Sequence, residues 1–217
     1  LGSGIGTAFR NAALIAIPIA TGLVGLLAKS VQEGQEAAKV QTIYQTAIAN
    51  SAKATSGLTE QIKAEQVALA KAEKAHTKNT TTIQKHKDAL AALQARQSVM
   101  GPVTAAQTAA LNKQQTALMN LAGIDDELIK TEQTRLIQMG LNGAAVAKLT
   151  PLILDMSKAT GKDLLTSTIA VGKAVNGNFA GLQRFGIIID QTKAKIDPFG
   201  AVVDALNQKF GGTTKAL

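Results

Sequence analysis

Asp125, Asp126 and Glu127 are three consecutive carboxylates, the first place in this chain to look for chemistry. Two carboxylates facing one reacting atom could act as general acid and base. Neighbouring positions on a helix diverge, so this spacing predicts acids in a first helical turn, where they complement the dipole. His76 and His86 are the only histidines. On one helix they would stand about 15 Å apart, too far to share a metal. A folded-back hairpin could bring them closer, yet no third ligand is evident, and they read as polar residues of a helical seam. Ala159-Thr160-Gly161-Lys162-Asp163 has part of a phosphate loop but lacks the upstream glycine and the Ser or Thr after the lysine. It reads as one helix ending and the next beginning. Gly172-Lys173 lies mid-helix and is no better a candidate. The serines show no nucleophile-elbow pattern and have no histidine near in sequence. The absence of cysteine excludes disulfides, thiolate nucleophiles and Cys-ligated metals. The sequence therefore assigns no catalytic, cofactor-binding or metal-ligating residue, and the expectation is a structural protein rather than an enzyme.

The elements that would carry these residues are helical. Of 217 residues only 3% are aromatic, with one Tyr, Tyr44, and no Trp. Large rings supply much of the apolar area of a globular enzyme core. Here Ala, Leu, Ile and Thr must pack instead, which favours helices lying side by side. The expected class is all-α: elongated helices, partly coiled-coil-like, followed by a C-terminal bundle of short helices. The net charge is +8 and is uneven, with eight basic and four acidic residues between 51 and 100. A basic surface attracts DNA, anionic lipid or an acidic protein wall, and a solvated lysine-rich helix face is the plainer reading. A first residue of Leu rather than Met suggests a piece of a longer polypeptide.

Three regions are expected. In residues 1–57, an uncharged run from 11 to 28 is bracketed by Arg10 and Lys29. It contains Ala13, Leu14, Ile15, Ile17, Ile19, Leu23, Val24, Leu26 and Leu27, and Pro18 should kink it. At 1.5 Å per residue it would span roughly 27 Å, near the lower limit for a bilayer. It reads as a helix packed among copies of itself, as a membrane-inserting segment, or as a buried hairpin. Residues 58–122 carry heptad-like order. The a positions are Ile62, Leu69, His76, Ile83, Leu90 and Gln97. The d positions are Leu58, Glu65, Ala72, Asn79, His86, Leu93 and Met100. Polar residues at such positions weaken a coiled coil but fix its register, a role open to His76, Asn79 and His86. Thr77 and Thr80 to Thr82 lower helix propensity at the centre, so this is one helix with a soft middle or two that fold back. Gly101-Pro102 ends the region and a further helix runs from about Val103 to Ala122. In residues 123–217, a helix from Asp125 to Met139 should face Leu128, Ile129, Leu136 and Met139 toward a core. A helix from Asn142-Gly143 should kink or restart at Pro151.

The last third reads as short, tightly turned helices ending in the β-branched run Ile187 to Ile189. Asp155, Ser157, Gly172, Lys173, Ala174, Gly181, Leu182, Arg184, Phe185, Gly186 and Ile187 fit one pattern, D-x-S/A, then G-K-A, then G…L-x-R-x-G-V/I. GIDDELIKTEQTRL from Gly123 and ALNQKFGGTTKAL from Ala205 flank it in order. Together these blocks resemble the tail tape measure proteins of long-tailed phages and prophages, over residues 123–217.

That resemblance implies a structural virion protein that sets tail length as the tube assembles and helps deliver the genome into the host. It implies a homo-oligomer (a trimer is one option) inside the tail tube or tail tip. The partners it implies are tube and tail-tip or baseplate proteins, a tail assembly chaperone, DNA during ejection and the host membrane. It places the chain in the host cytoplasm during assembly, in the virion, and at the host envelope on infection. It implies no cofactor. Two readings from other classes compete: a pore-forming or translocating toxin-like protein, and a bacterial helical oligomerisation module.

Overall fold

The computed structural model describes residues 21–51, 56–75 and 79–213, with side chains of the first stretch from Gly34 onward. Ten helices and no strand occur among the described residues, so the fold is all-α. They are α1 (Thr21–Ser51), α2 (Ser56–Lys74), α3 (Thr80–Val99), α4 (Ala105–Ala122), α5 (Asp126–Gln138), α6 (Gly143–Thr160), α7 (Leu164–Val175), α8 (Ala180–Gln183), α9 (Gln191–Ile196) and α10 (Pro198–Phe210). The boundary between two compact units falls between Lys39 and Val40. Helix α4 packs on both α5 and α6.

Of the apolar run at 11–28, residues 11–20 lie outside the described residues, as do all its side chains. Among the described residues no helix is long and apolar enough to cross a membrane.

Helix ends in the second unit follow local chemistry. Asn79, Thr104, Asn142, Asp163 and Asp197 each accept a backbone N–H of the first turn that follows them. Such caps satisfy donors that have no partner inside the helix. Thr104 and Gln107 form a reciprocal capping box. Gly123 and Gly161 close α4 and α6 with φ of +63° and +65°, a region glycine enters without steric cost.

The region 58–100 folds back. Helices α2 and α3 pack along each other, and His86 Nδ1 meets Glu65 Oε1 at 2.5 Å. Both are d positions of the heptad frame. The fold-back makes the two helices antiparallel, and Glu73 on α2 also faces Lys87 on α3 at 3.7 Å. Leu58 and Ile62 are buried, and Leu69, Ile83, Leu90 and Leu93 are half-buried. The seam is thus occupied within one chain. Asn79 is not a seam residue: it stands outside α3 and caps it, accepting from Thr82 N at 3.1 Å. His76 lies outside the described residues.

A short antiparallel bridge ties the end of α3 to the α5–α6 link. Gly101 N donates to Gly140 O at 3.2 Å and Asn142 N to Val99 O at 2.9 Å. Ser51 Oγ, at the end of α1, accepts from Val103 N at 2.9 Å and so seats α1 on the same junction. Tyr44, one of the few rings, is wholly buried in the last turns of α1. Burial pushes its phenol up to about 12.

The core lies between α4, α5, α6, α7 and α10. Ile129, Leu136, Val146, Leu149, Val171 and Leu206 are all at most 1% exposed. Leu128, expected in this core, is instead 43% exposed, because the buried face of α5 runs through Ile129, Glu132, Gln133 and Leu136. Small residues let the helices approach closely. A Cβ added to Gly143 would stand 2.6 Å from Gln107 Cβ, and one on Gly181 3.3 Å from Ala170 Cα.

Helix α6 neither restarts nor ends at Pro151. Proline has no N–H, so the carbonyl of Ala147 four residues earlier loses its helical donor. Gln114 on α4 replaces it, donating Nε2 to Ala147 O at 2.7 Å. Gln114 Oε1 in turn accepts from Gln133 Nε2 at 3.3 Å, and Gln133 Oε1 accepts from Gln115 Nε2 at 2.6 Å. Three side-chain amides therefore form a relay from α4 through α5 back to α4, ending on the broken turn of α6. Gln114→Leu should lower unfolding free energy by about 1–3 kcal/mol, since it strands Ala147 O and Gln133 Nε2. Adding Pro151→Ala restores a donor to Ala147 O, so the double variant should recover part of that loss in urea unfolding. No recovery would mean that Ala147 is not the vulnerable acceptor.

Candidate functional site

The residues of the family-like block converge on one part of the second unit, and most of them build it. Asp155 is buried on α6, and its Oδ2 accepts from Gly212 N at 2.8 Å across the end of α10. Gly172 on α7 is packed so closely that an added Cβ would lie 2.2 Å from Met139 Sδ. Gly181 lets α8 rest against Ala170 of α7. Leu182 is fully buried, and its carbonyl accepts from Ile187 N at 3.1 Å. Gly186 turns the chain with φ +66°. Lys173 and Arg184 differ from the rest, because both are exposed. Ile187 and Ile189 are buried while Ile188 between them is 90% exposed, the alternation of an extended segment.

Lys209 is a closing residue that sequence reasoning did not single out. Its Nζ donates to the carbonyls of Phe185 at 3.1 Å and Gly186 at 2.5 Å, just past the end of α8. The only hint in the sequence is a lysine in the last turn of α10, and its target is 23 residues away.

The three consecutive carboxylates behave differently from the expectation that they diverge. Their oxygens lie within 4.8 Å of one another. Asp125 is the cap, not part of the helix, so its side chain folds back over the first turn and accepts from Glu127 N at 2.9 Å. Glu127 retains its proton to donate to the Asp125 carboxylate first and then toward Asp126, which pushes its carboxyl up to about 7. The same bond, made by Glu127, holds Asp125 below its ordinary value. Among the described residues this is the one group of three acidic or histidine side chains close enough to share a cation. Asp125 is exposed and the other two are half-buried.

The phosphate-loop-like segment is a helix junction. Gly161 ends α6, and Asp163 caps α7 by accepting from Thr166 N at 2.7 Å. Ser157 Oγ donates to Lys162 O at 2.7 Å, which commits the local serine to the turn. His86 is paired with Glu65, and its partner in the frame of candidate ligands, His76, is not among the described residues. No protein-family model, curated protein or solved structure matches the chain.

Two measurements check these assignments. The Glu65–His86 pair is part-buried, with side-chain exposures of 23% and 29%. A double-mutant cycle with Glu65→Ala and His86→Ala should therefore give a coupling of about 0.5–1.5 kcal/mol. No coupling would mean that the pair does not hold the hairpin register. Glu127 concerns pH. A carboxyl raised from 4.5 to about 7 binds its proton more tightly in the folded state. Its contribution is then complete below pH 4.5 and fades as pH climbs through 7. Asp125, whose value is lowered from 3.8, contributes in the opposite sense, and that part is lost only as pH falls below its ordinary value. Glu127→Gln should flatten the fall in Tm between about pH 4.5 and 7, and an unchanged slope would remove Glu127 as its cause.

Proposed function

We propose that this chain is a segment of a phage tail tape measure protein, and that its second compact unit serves as a folded part of it rather than as the ruler. The reading rests on the three ordered sequence blocks over 123–217. One observation supports the refinement: Asp155, Gly172, Gly181, Leu182 and Gly186 of the pattern all act as packing or closing residues of one helical unit. A pattern of this kind preserves a shape, and the reading assigns the chain no covalent reaction.

A ruler needs length proportional to residue number, about 1.5 Å per helical residue. Helices α2 and α3 run out and back, so in this conformation they add almost no net length. The role that suits them is a knob at the end of a longer helical chain, docked against tube or tail-tip proteins. The exposed Lys173 and Arg184, and the basic hairpin, suit an acidic wall through many weak and screened contacts. Release from the tube before DNA passes needs contacts of that strength. Chaperone binding, self-association and membrane contact belong to the same proposal and attach to residues outside the folded unit.

The test is an in-frame deletion of residues 56–99 in the producing phage or prophage, read by electron microscopy and by mass spectrometry of purified particles. The chain should be present in tailed particles, and tail length should stay unchanged. Tails shorter by about 65 Å would mean that this stretch lies extended in the particle and measures length. Absence of the chain from particles, with dye release from liposomes by the purified chain, would replace the reading with that of a translocating protein.

A further inference from the structure

Between α5, α6 and α7 lies a cavity of about 10 Å³, lined by Ile129, Glu132, Leu136, Thr150, Leu164 and Thr168 among others. Most of its wall is apolar. Two of its polar atoms, Glu132 Oε2 and Thr168 Oγ1, are buried and make no hydrogen bond. Glu132 is 4% exposed and Thr168 0%. Arg135, half-buried on the next turn, balances the charge of Glu132, with its Nε 3.3 Å from Oε2, but does not hydrogen-bond that oxygen. A third polar group, Thr150, is 5% exposed and gives its proton to Val146 O at 2.8 Å, leaving its oxygen free to accept.

From this geometry we infer a site for one ordered water molecule that joins α5, α6 and α7. A buried polar atom without a partner costs about 1–3 kcal/mol, which native cores avoid. A water needs roughly 10–15 Å³ and two to four polar partners; the cavity offers about 10 Å³, and three polar side chains are among its lining residues. The proton count closes as well. Water donates one hydrogen to Glu132 Oε2 and the other to Thr150 Oγ1, and it accepts the hydroxyl hydrogen of Thr168. The volume admits nothing larger, so the ligand is water and no organic molecule. The inference is independent of the tape measure reading, since it depends only on three side chains of the core.

Thr168→Val and Thr168→Ser separate the possibilities in the full 217-residue chain. A bridged hydroxyl predicts that Val lowers the folded-to-unfolded ratio roughly ten-fold or more, while Ser stays close to the parent. A hydroxyl with no water predicts the reverse, since replacing an unpaired buried hydroxyl by a methyl of the same shape is neutral or stabilising. A crystal structure of the parent at atomic resolution should show density within hydrogen-bond reach of all three oxygens. Water-to-protein NOEs at Thr168 should report the same site in solution if the Val variant does not fold. An unchanged or raised ratio for Val, or a parent structure in which Thr168 bonds directly to Glu132 or to its own helix, would overturn the inference.

Discussion

The second unit depends on how it satisfies the carbonyl that Pro151 leaves open. Helix α6 is the central element: α4, α5, α7 and α10 all pack on it. A break at its middle would divide the face on which they meet. Gln114 prevents this by lending a side-chain N–H to Ala147 O, and Gln133 and Gln115 hold Gln114 in place. Buried polar networks are costly when one member is unpaired and specific when all are paired. Here the amides link end to end, so the relay fixes α4, α5 and α6 relative to one another in a way that apolar contacts alone would not.

Around that relay the core is assembled from small residues. The chain has five Phe and one Tyr, so close helix approach takes the place of large rings. Gly143 admits Gln107, Gly172 admits Met139, and Gly181 admits the backbone of Ala170. Each contact lets a helix sit nearer its neighbour than a Cβ would allow. The ends are then tied by long-range polar contacts. Asp155 holds Gly212, Lys209 holds the turn after α8, and Lys158 Nζ donates to Ala122 O at 3.0 Å.

The hairpin changes what the heptad pattern means. A seam of Leu58, Ile62, Leu69, Ile83, Leu90 and Leu93 would ordinarily suggest association between copies. Helix α3 fills it from within the same chain, and the Glu65–His86 pair links the two helices. Among the described residues, Ile188 and Val67 are the most open large apolar side chains, exposed by 90% and 69%.

Helical class and many helix ends were legible in the residues alone, because caps and breakers act within one turn. Gly123, Asn142-Gly143 and the Gly161–Asp163 junction mark helix ends in the sequence, whereas Asn79, read as a seam position, and Asp125, read as part of a first turn, are caps in the structure. Three outcomes needed the tertiary structure. Pro151 stays inside a helix because an amide 37 residues earlier, on another helix, meets its orphaned carbonyl. Leu128 faces solvent because the neighbours of α5 cover Glu132 and Gln133 instead, a choice that periodicity on one helix leaves open. Glu65 and His86 meet because the chain reverses between them, whereas on a single helix they would lie about 30 Å apart. Local chemistry sets where a helix begins and ends; which face it buries, and which polar group answers another, depends on residues distant in sequence that only folding brings together.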